Sequence, residues 1–480
     1  MLSLAPLAKV ESSAFVSAPS QPGPRQCSPS VVLPGSRLPI DWSTPVTDVY
    51  RPIGSRPKNV ASYRPLGIPS GWVSRTVFVL ATVVVTASQL RVAGPFGIGE
   101  FLILGWSVVT ILSPGWRVRT SAGLWPTRVL GFYIILGLIG TPFGILAGIN
   151  APGTAVRFVS ALLLVGLMIV ALTFHENRAS ILRAWVRWWP ALTMIPNFGA
   201  YLISRSSPQF LGLTFLDGSY STNYRFQGLT TNANQLAMLG ASAFFLSVAT
   251  ARENRYRPWT VVMCALSTLI GYLSQSDGWR VSFIPAGAAV MGLVFMEKRR
   301  NVWGALRLIG AWLLVVVALL SVNTILDHAT RLSSSQNDQG GERERLWGKC
   351  AAVFLRYPLF GVGPTTPIYD LGKHDECHNS YLDIATGGGV LATFTMIALL
   401  IYLGRKHWRS ADPIRLGMVT WLASFMIFGY QGRQPIFWLM LIWLSAPETA
   451  TSAVVRGVRS RVTRRHPAAR QVSRNDTSSR

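Results

Sequence analysis

Gly153-Thr154-Ala155-Val156-Arg157-Phe158-Val159-Ser160-Ala161-Leu162-Leu163-Leu164-Val165-Gly166-Leu167-Met168-Ile169-Val170-Ala171-Leu172-Thr173 decides the fold class. A single charge, Arg157, interrupts an apolar run too long for a strand and close to the roughly 20 residues a helix needs to cross a bilayer. Runs of the same kind, bounded by basic or Gly/Pro-rich breaks, fall near 76–93, 96–113, 128–147, 184–203, 232–250, 258–274, 279–297, 303–325, 382–404, 415–429 and 434–448. Together they predict an all-α, polytopic membrane protein with about twelve transmembrane helices. Several runs are shorter than a perpendicular span needs, and the last two also fit a hairpin that does not fully cross. Of the 480 residues 50% are hydrophobic and 14% charged, against about a quarter charged in soluble domains. An ordinary soluble domain is therefore excluded.

The net charge of +25 points either to a nucleic-acid partner or to membrane topology, and the positions of the charges decide between them. With the N-terminus in the cytoplasm, both tails and every second loop hold most of the 45 Lys and Arg. The opposite side holds Arg91, Arg157, Arg205, Arg225, Arg280, Arg331, Arg343, Arg345, Lys349, Arg356, Lys373 and Arg433. This bias predicts cytoplasmic N- and C-termini, with membrane lipids and no nucleic acid as partners. Residues 1–75 hold many Ser and Pro, no apolar run and no secretory signal, and read as a disordered basic cytoplasmic tail. Residues 449–480 read as a second basic tail. Four cysteines in so long a chain cannot form a disulfide scaffold.

Two connections are long, 204–231 and 326–381, and this topology places both outside the plasma membrane. The expected organisation is helices 1–9 over 76–325, an extracytoplasmic loop over 326–381 and helices 10–12 over 382–448. Within the second loop, Glu342–Arg356 carries Leu346, Trp347, Cys350, Val353 and Phe354 at helical spacing. It predicts an amphipathic helix on the outer membrane surface. A tight Gly/Pro turn follows at Pro358-Leu359-Phe360-Gly361-Val362-Gly363-Pro364.

Polar chemistry gathers where spans begin. Lys373-His374-Asp375-Glu376-Cys377-His378-Asn379-Ser380-Tyr381-Leu382-Asp383 runs into Gly387-Gly388-Gly389 and an apolar helix. A His beside carboxylates and a Tyr at a water–membrane boundary suits proton transfer. Equally, His378 and Asn379 fit as caps of the following helix. Arg225-Phe226-Gln227-Gly228 precedes Asn232-Ala233-Asn234, where either Asn is also a good cap. Ser274-Gln275-Ser276-Asp277-Gly278-Trp279-Arg280 makes a short hairpin whose Arg280 sits at the boundary. A guanidinium there is costly unless it snorkels, pairs with Asp277 or binds an anion. Two outer arginines suit bidentate phosphate binding, and a neutral His within reach can deprotonate an attacking hydroxyl while the arginines stabilise a departing diphosphate. No Asp-x-Asp motif is present to hold a metal on a nucleotide sugar. Cys350 and Cys377 in the same loop either pair in an oxidising compartment or remain buried thiols.

These segments resemble the O-antigen ligase and Wzy-type polysaccharide polymerase superfamily. The likeness rests on Arg225-Phe226-Gln227-Gly228 with Asn232-Ala233-Asn234, the Ser-rich turn ending in Arg280, Arg345-Leu346-Trp347 leading to Pro358–Pro364, and His378-Asn379 before a Gly-rich helix start. Gly278-Trp279 before Arg280 departs from the Ser-Arg pattern common in the family. The resemblance implies a metal-independent glycosyltransferase without a cofactor, acting outside the bacterial plasma membrane on an undecaprenyl-diphosphate-linked glycan donor. The acceptor is then a glycan, lipid or protein. It implies His378 as catalytic base and Arg225 and Arg280 as the diphosphate clamp, with Asn379, Asn234, Arg345 and Tyr381 in support. The competing readings are a transporter or flippase for a lipid-linked or anionic substrate, and a membrane scaffold. A transporter should carry its polar groups at mid-membrane; here they gather at the outer boundary.

Overall fold

Each apolar run within the described residues folds as a helix, because a segment without polar side chains satisfies its backbone groups internally once water is gone. The computed structural model describes residues 71–93, 96–113, 124–150, 152–217, 225–253, 257–297, 338–364, 368–370, 373–375, 377–429, 432 and 434–446. All of these lie in one compact unit, Pro65–Arg480. The run 303–325, residues 1–70 of the N-terminal tail and the C-terminal tail lie outside the described residues. The helices are α1 (Gly71–Thr86), α2 (Ile98–Leu112), α3 (Trp125–Leu146), α4 (Pro152–Phe174), α5 (Arg178–Ser204) and α6 (Ala233–Glu253). They continue as α7 (Arg257–Leu273), α8 (Asp277–Glu297), α9 (Asp338–Arg356), α10 (Ser380–Arg409), α11 (Pro413–Phe425) and α12 (Pro435–Ser445).

Five of them are long and apolar enough to cross a membrane: α3, Ala155–Phe174, Ala233–Ala251, Asp277–Phe295 and α10. Shorter apolar helices are α1, α2, Pro258–Leu273 and α12. The chain is an all-α, multi-pass membrane protein. Four two-stranded hairpins decorate the helices. They pair β1 (Arg91–Ala93) with β2 (Phe96–Gly97), β3 (Gln209–Phe210) with β4 (Leu213–Thr214), β5 (Leu216–Asp217) with β6 (Arg225–Phe226), and β7 (Ile368–Asp370) with β8 (Lys373–Asp375).

Close backbone approach and aromatic packing hold the bundle. Gly240 on α6 faces α7 so closely that an added Cβ would stand 3.1 Å from the Gly271 nitrogen, the use of small residues expected between membrane helices. Phe245, Phe283, Trp279, Trp421 and Phe425 stack across α6, α8 and α11 with centroid separations of 4.6 to 5.9 Å. Helix α12 is buried from Ile436 to Ser445, so it is an internal strut rather than a lipid-facing span.

Three elements differ from the sequence reading. Residues 71–75, read as the end of a disordered tail, form the first turn of α1. The run 76–93 ends as helix at Thr86, and Ser88 and Gln89 leave it. The Ser88 side chain then bonds Thr231 in the loop after β6, and that of Gln89 bonds Thr214 of β4. The Gly387–Gly389 stretch is not a plain helix start but a break inside α10, where Gly389 has φ 73° and ψ −170°. The Pro358–Gly363 turn fills that break. Val362 and Gly363 donate to the Thr386 and Gly387 carbonyls at 2.7 and 3.1 Å, and Val390 donates to the Pro358 carbonyl at 2.7 Å. Gly140 and Gly144 of α3 line the other side, where a Cβ would collide with the Phe360 and Val362 carbonyls. Backbone freed by the break is thereby satisfied inside the protein, the condition for non-helical chain in an apolar bundle.

Candidate functional site

Arg225 is positioned by a chain of loop bonds. On β6 it lies opposite Asp217, and the neighbouring Phe226 lies opposite Leu216. Gly228 then turns with φ +57°, and a Cβ there would collide with Asn197. Asn197, buried on α5, accepts from the Leu229 nitrogen at 3.0 Å and donates to the Thr193 carbonyl at 2.8 Å. Gln89 ties the same loop to the end of α1. Its amide donates to the carbonyls of Thr214, Gly228 and Thr230 at 2.6 to 2.9 Å, and its carbonyl accepts from the Thr214 nitrogen at 2.8 Å.

Arg225 spends part of its fork on the protein: Nε donates to the Ser274 carbonyl at 3.2 Å and a terminal nitrogen donates to Asn234 Oδ1 at 3.0 Å. The same Asn234 oxygen accepts from Ser276 Oγ at 2.9 Å. Asn232, not Asn234, takes the capping role for α6, since its Oδ1 accepts from the Asn234 nitrogen at 2.7 Å and its carbonyl from Gln235 and Leu236.

Ser276 leads from Arg225 to Arg280. Its carbonyl accepts from the Trp279 nitrogen at 3.1 Å and the Arg280 nitrogen at 3.4 Å, so it opens α8. Arg280 follows in the first turn and is 8% exposed. Its guanidinium lies 5.1 Å from the Tyr272 ring centroid, a cation–π distance. It lies 4.0 Å from the Asp277 carboxylate, the limit of an ion pair, with Asp277 itself 68% exposed. Among the described residues Arg280 Nε has no hydrogen-bond partner. Buried guanidinium donors are normally satisfied, so this group is built into the fold yet keeps donor capacity.

The third segment is set by α10. Asn379 is the cap: its Oδ1 accepts from the nitrogens of Tyr381 and Leu382 at 3.0 and 3.2 Å. His378 takes no part in capping. It is half-buried, with φ +47°, a left-handed conformation uncommon for a non-glycine residue. Ser380 donates through its nitrogen to the Met426 carbonyl at 2.7 Å and through Oγ to the Gly429 carbonyl at 2.6 Å. Tyr381 donates its hydroxyl to the Ala423 carbonyl at 2.8 Å, and Asp383 is buried in the first turn.

Segment 421–429 brings the α8 and α10 starts together. Trp421 Nε1 donates to the Trp279 carbonyl at 3.4 Å. A Cβ on Gly278 would stand 2.5 Å from Phe428 Cβ and 3.3 Å from the Phe425 ring. Gly278, where the family pattern is broken, is thus the small residue that lets α8 meet the segment holding Ser380. Arg225, Asn234 and Ser276 share one hydrogen-bonded cluster, Arg280 follows Ser276 in the first turn of α8, and Asn379 beside His378 caps α10. Arg345 is exposed on α9. Cys350 of α9 and Cys377 form a disulfide with a Cα–Cα separation of 6.0 Å, which closes the choice the sequence left open. Gln89, Asn197 and segment 421–429 were missed by sequence reasoning; a polar Ser88-Gln89 pair inside an apolar run was the one available signal. Among the described residues no three His, Cys, Asp or Glu gather as a metal ligand set.

Fold and site together define a multi-pass membrane protein with a buried arginine, a half-buried one and a left-handed histidine at helix starts. Residues 262–397 match the family model described as O-Antigen ligase, so the chain carries a domain of that enzyme family. The matched stretch contains Arg280, α9, the disulfide and His378, whereas Arg225 and Asn234 precede it. No curated protein matches the chain significantly.

Proposed function

We propose that this protein transfers or polymerises undecaprenyl-diphosphate-linked glycans at the extracytoplasmic face of the bacterial plasma membrane, without a metal. The observation that carries the reading is Arg280, a buried guanidinium with donor capacity left over, joined through segment 421–429 to the segment that presents His378. In the reaction, His378 takes the proton of an acceptor hydroxyl as that oxygen bonds to the anomeric carbon of the donor. The bond from that carbon to the diphosphate oxygen breaks, and the electron pair leaves with the diphosphate. Arg280 and Arg225 hold the developing charge, which fixed guanidinium forks do at little reorganisation cost. Asn234 orients Arg225 and Asn379 fixes the α10 start.

The positive-inside pattern and the disulfide both support the sidedness, since structural disulfides belong to oxidising compartments. The loss of a surface polymer tests the reading. Cells lacking this protein should accumulate lipid-linked oligosaccharide, and wild type but not His378→Ala should correct it. Single repeat units in the accumulated lipid mean a polymerase and long chains a ligase. An unchanged profile sinks the transferase and favours transport.

A further inference from the structure

His378 is fixed from both sides along the chain. On its C-terminal side stands Asn379, the cap of α10, and then Ser380, tied to the Met426 and Gly429 carbonyls. On its N-terminal side stands Cys377, bonded across 27 residues to Cys350 of α9. Both sulfur-bearing residues are fully buried and pack with Leu346 and against Leu382. Helix α9 and the start of α10 are thereby joined covalently at the residue adjoining the histidine, and the backbone between the two anchors takes φ +47° at His378. A left-handed non-glycine residue persists when its surroundings over-determine it, and here the surroundings are a cap on one side and a crosslink on the other.

We infer that the Cys350–Cys377 disulfide is a positioning element for His378, holding the imidazole at the angle from which it meets the acceptor hydroxyl. The inference rests on the transferase reading above. Removing the crosslink leaves the cap intact but frees Cys377, and the backbone at His378 relaxes toward ordinary φ values. Misplacing a reacting group by about 1 Å costs on the order of 100-fold in rate. Arg225 and Arg280 lie outside the crosslinked loop and keep their bonds to Ser274, Asn234 and Asp277. Donor binding should therefore survive while turnover falls.

The test uses the full chain in lipid nanodiscs with lipid-linked glycan and acceptor. For Cys350→Ala/Cys377→Ala, kcat should fall about 100-fold with KM for the donor within about twofold, and the unfolding midpoint should fall because the crosslink no longer restricts the unfolded chain. Wild-type protein reduced by a dithiol, which becomes a cyclic disulfide as Cys350 and Cys377 become thiols, should lose kcat in the same way. Reoxidation should restore it. This cycle decides the matter if the double variant does not fold. Full kcat in reduced protein, with both thiols verified by labelling of an aliquot, overturns the positioning role. So does a fall in kcat accompanied by an equal rise in KM for the donor, which marks general structural support. Untreated wild type that transfers no glycan fails the transferase reading itself, before any cysteine is altered.

Discussion

The two ends of α10 each hold buried or half-buried cations, and they use them in opposite ways. At the far end, Lys406 Nζ donates to the carbonyls of Leu444, Ser445 and Ala446 at 2.8 to 3.2 Å. Arg415 donates to the Ala446 carbonyl at 3.1 Å, lies 3.7 Å from Asp412 and covers the Trp443 ring at 5.0 Å. These cations close the C-terminus of α12, whose last carbonyls have no helical partner and carry the negative end of the helix dipole. At the near end, Arg280 has a marginal pair with Asp277, an aromatic face and an Nε without a partner among the described residues. The 30 residues of α10 thus separate a cation cluster engaged by its own protein from an arginine that keeps donor capacity. Under the proposed function, what distinguishes a binding arginine from a structural one is whether its donors are spent, not whether it is buried.

The sharpest way to break this comparison is to remove the base. His378→Ala should lower glycan transfer by about 100-fold to 10,000-fold at unchanged membrane level, read by turnover of lipid-linked donor in isolated membranes. Retention of wild-type turnover removes His378 from the chemistry. Next comes Arg280→Lys. A lysine keeps the charge but not the planar fork, so kcat/KM should fall about 100-fold while the unfolding midpoint stays put. If activity survives, the diphosphate sits elsewhere and the spare donor capacity has another meaning.

The helices were legible because apolar length is a property of the sequence alone. The site was legible in part. Asn379 is a good cap by residue type and does cap, which leaves His378 available. The α10 break was not legible, although Gly387-Gly388-Gly389 stood out, because the partner that makes it tolerable is the distant Pro358–Gly363 turn. Local sequence carries no record of that pairing. Gln89 was lost for a different reason: hydropathy averaged over a window absorbs one polar residue into the apolar run beside it. Its two bonds to Thr214 of β4 and two to the loop after β6 become visible only when about 140 residues of chain have folded back, roughly the separation from Gly228 and Thr230. Replacing Gln89 by Leu should accordingly loosen the strand that presents Arg225 and raise KM for the donor severalfold, with kcat little changed; an unaltered KM would detach this clamp from substrate binding.

The smallest effect on activity is expected at the far end, and it is the control the comparison requires. Lys406→Met keeps the aliphatic stem against the bundle and removes the ammonium that serves three carbonyls. Those carbonyls then lose charge-assisted donors, and the helix terminus loses its countercharge. The loss should amount to about 2 kcal/mol of stability, seen as a lower unfolding midpoint in detergent. The folded fraction should transfer glycan with wild-type kcat and KM, because the carbonyls that Lys406 serves lie at the C-terminus of α12. A variant that instead kept its midpoint and lost turnover would make the far cluster part of the reaction. The rule that spent donors mark structure and spare donors mark binding would then fail in this protein.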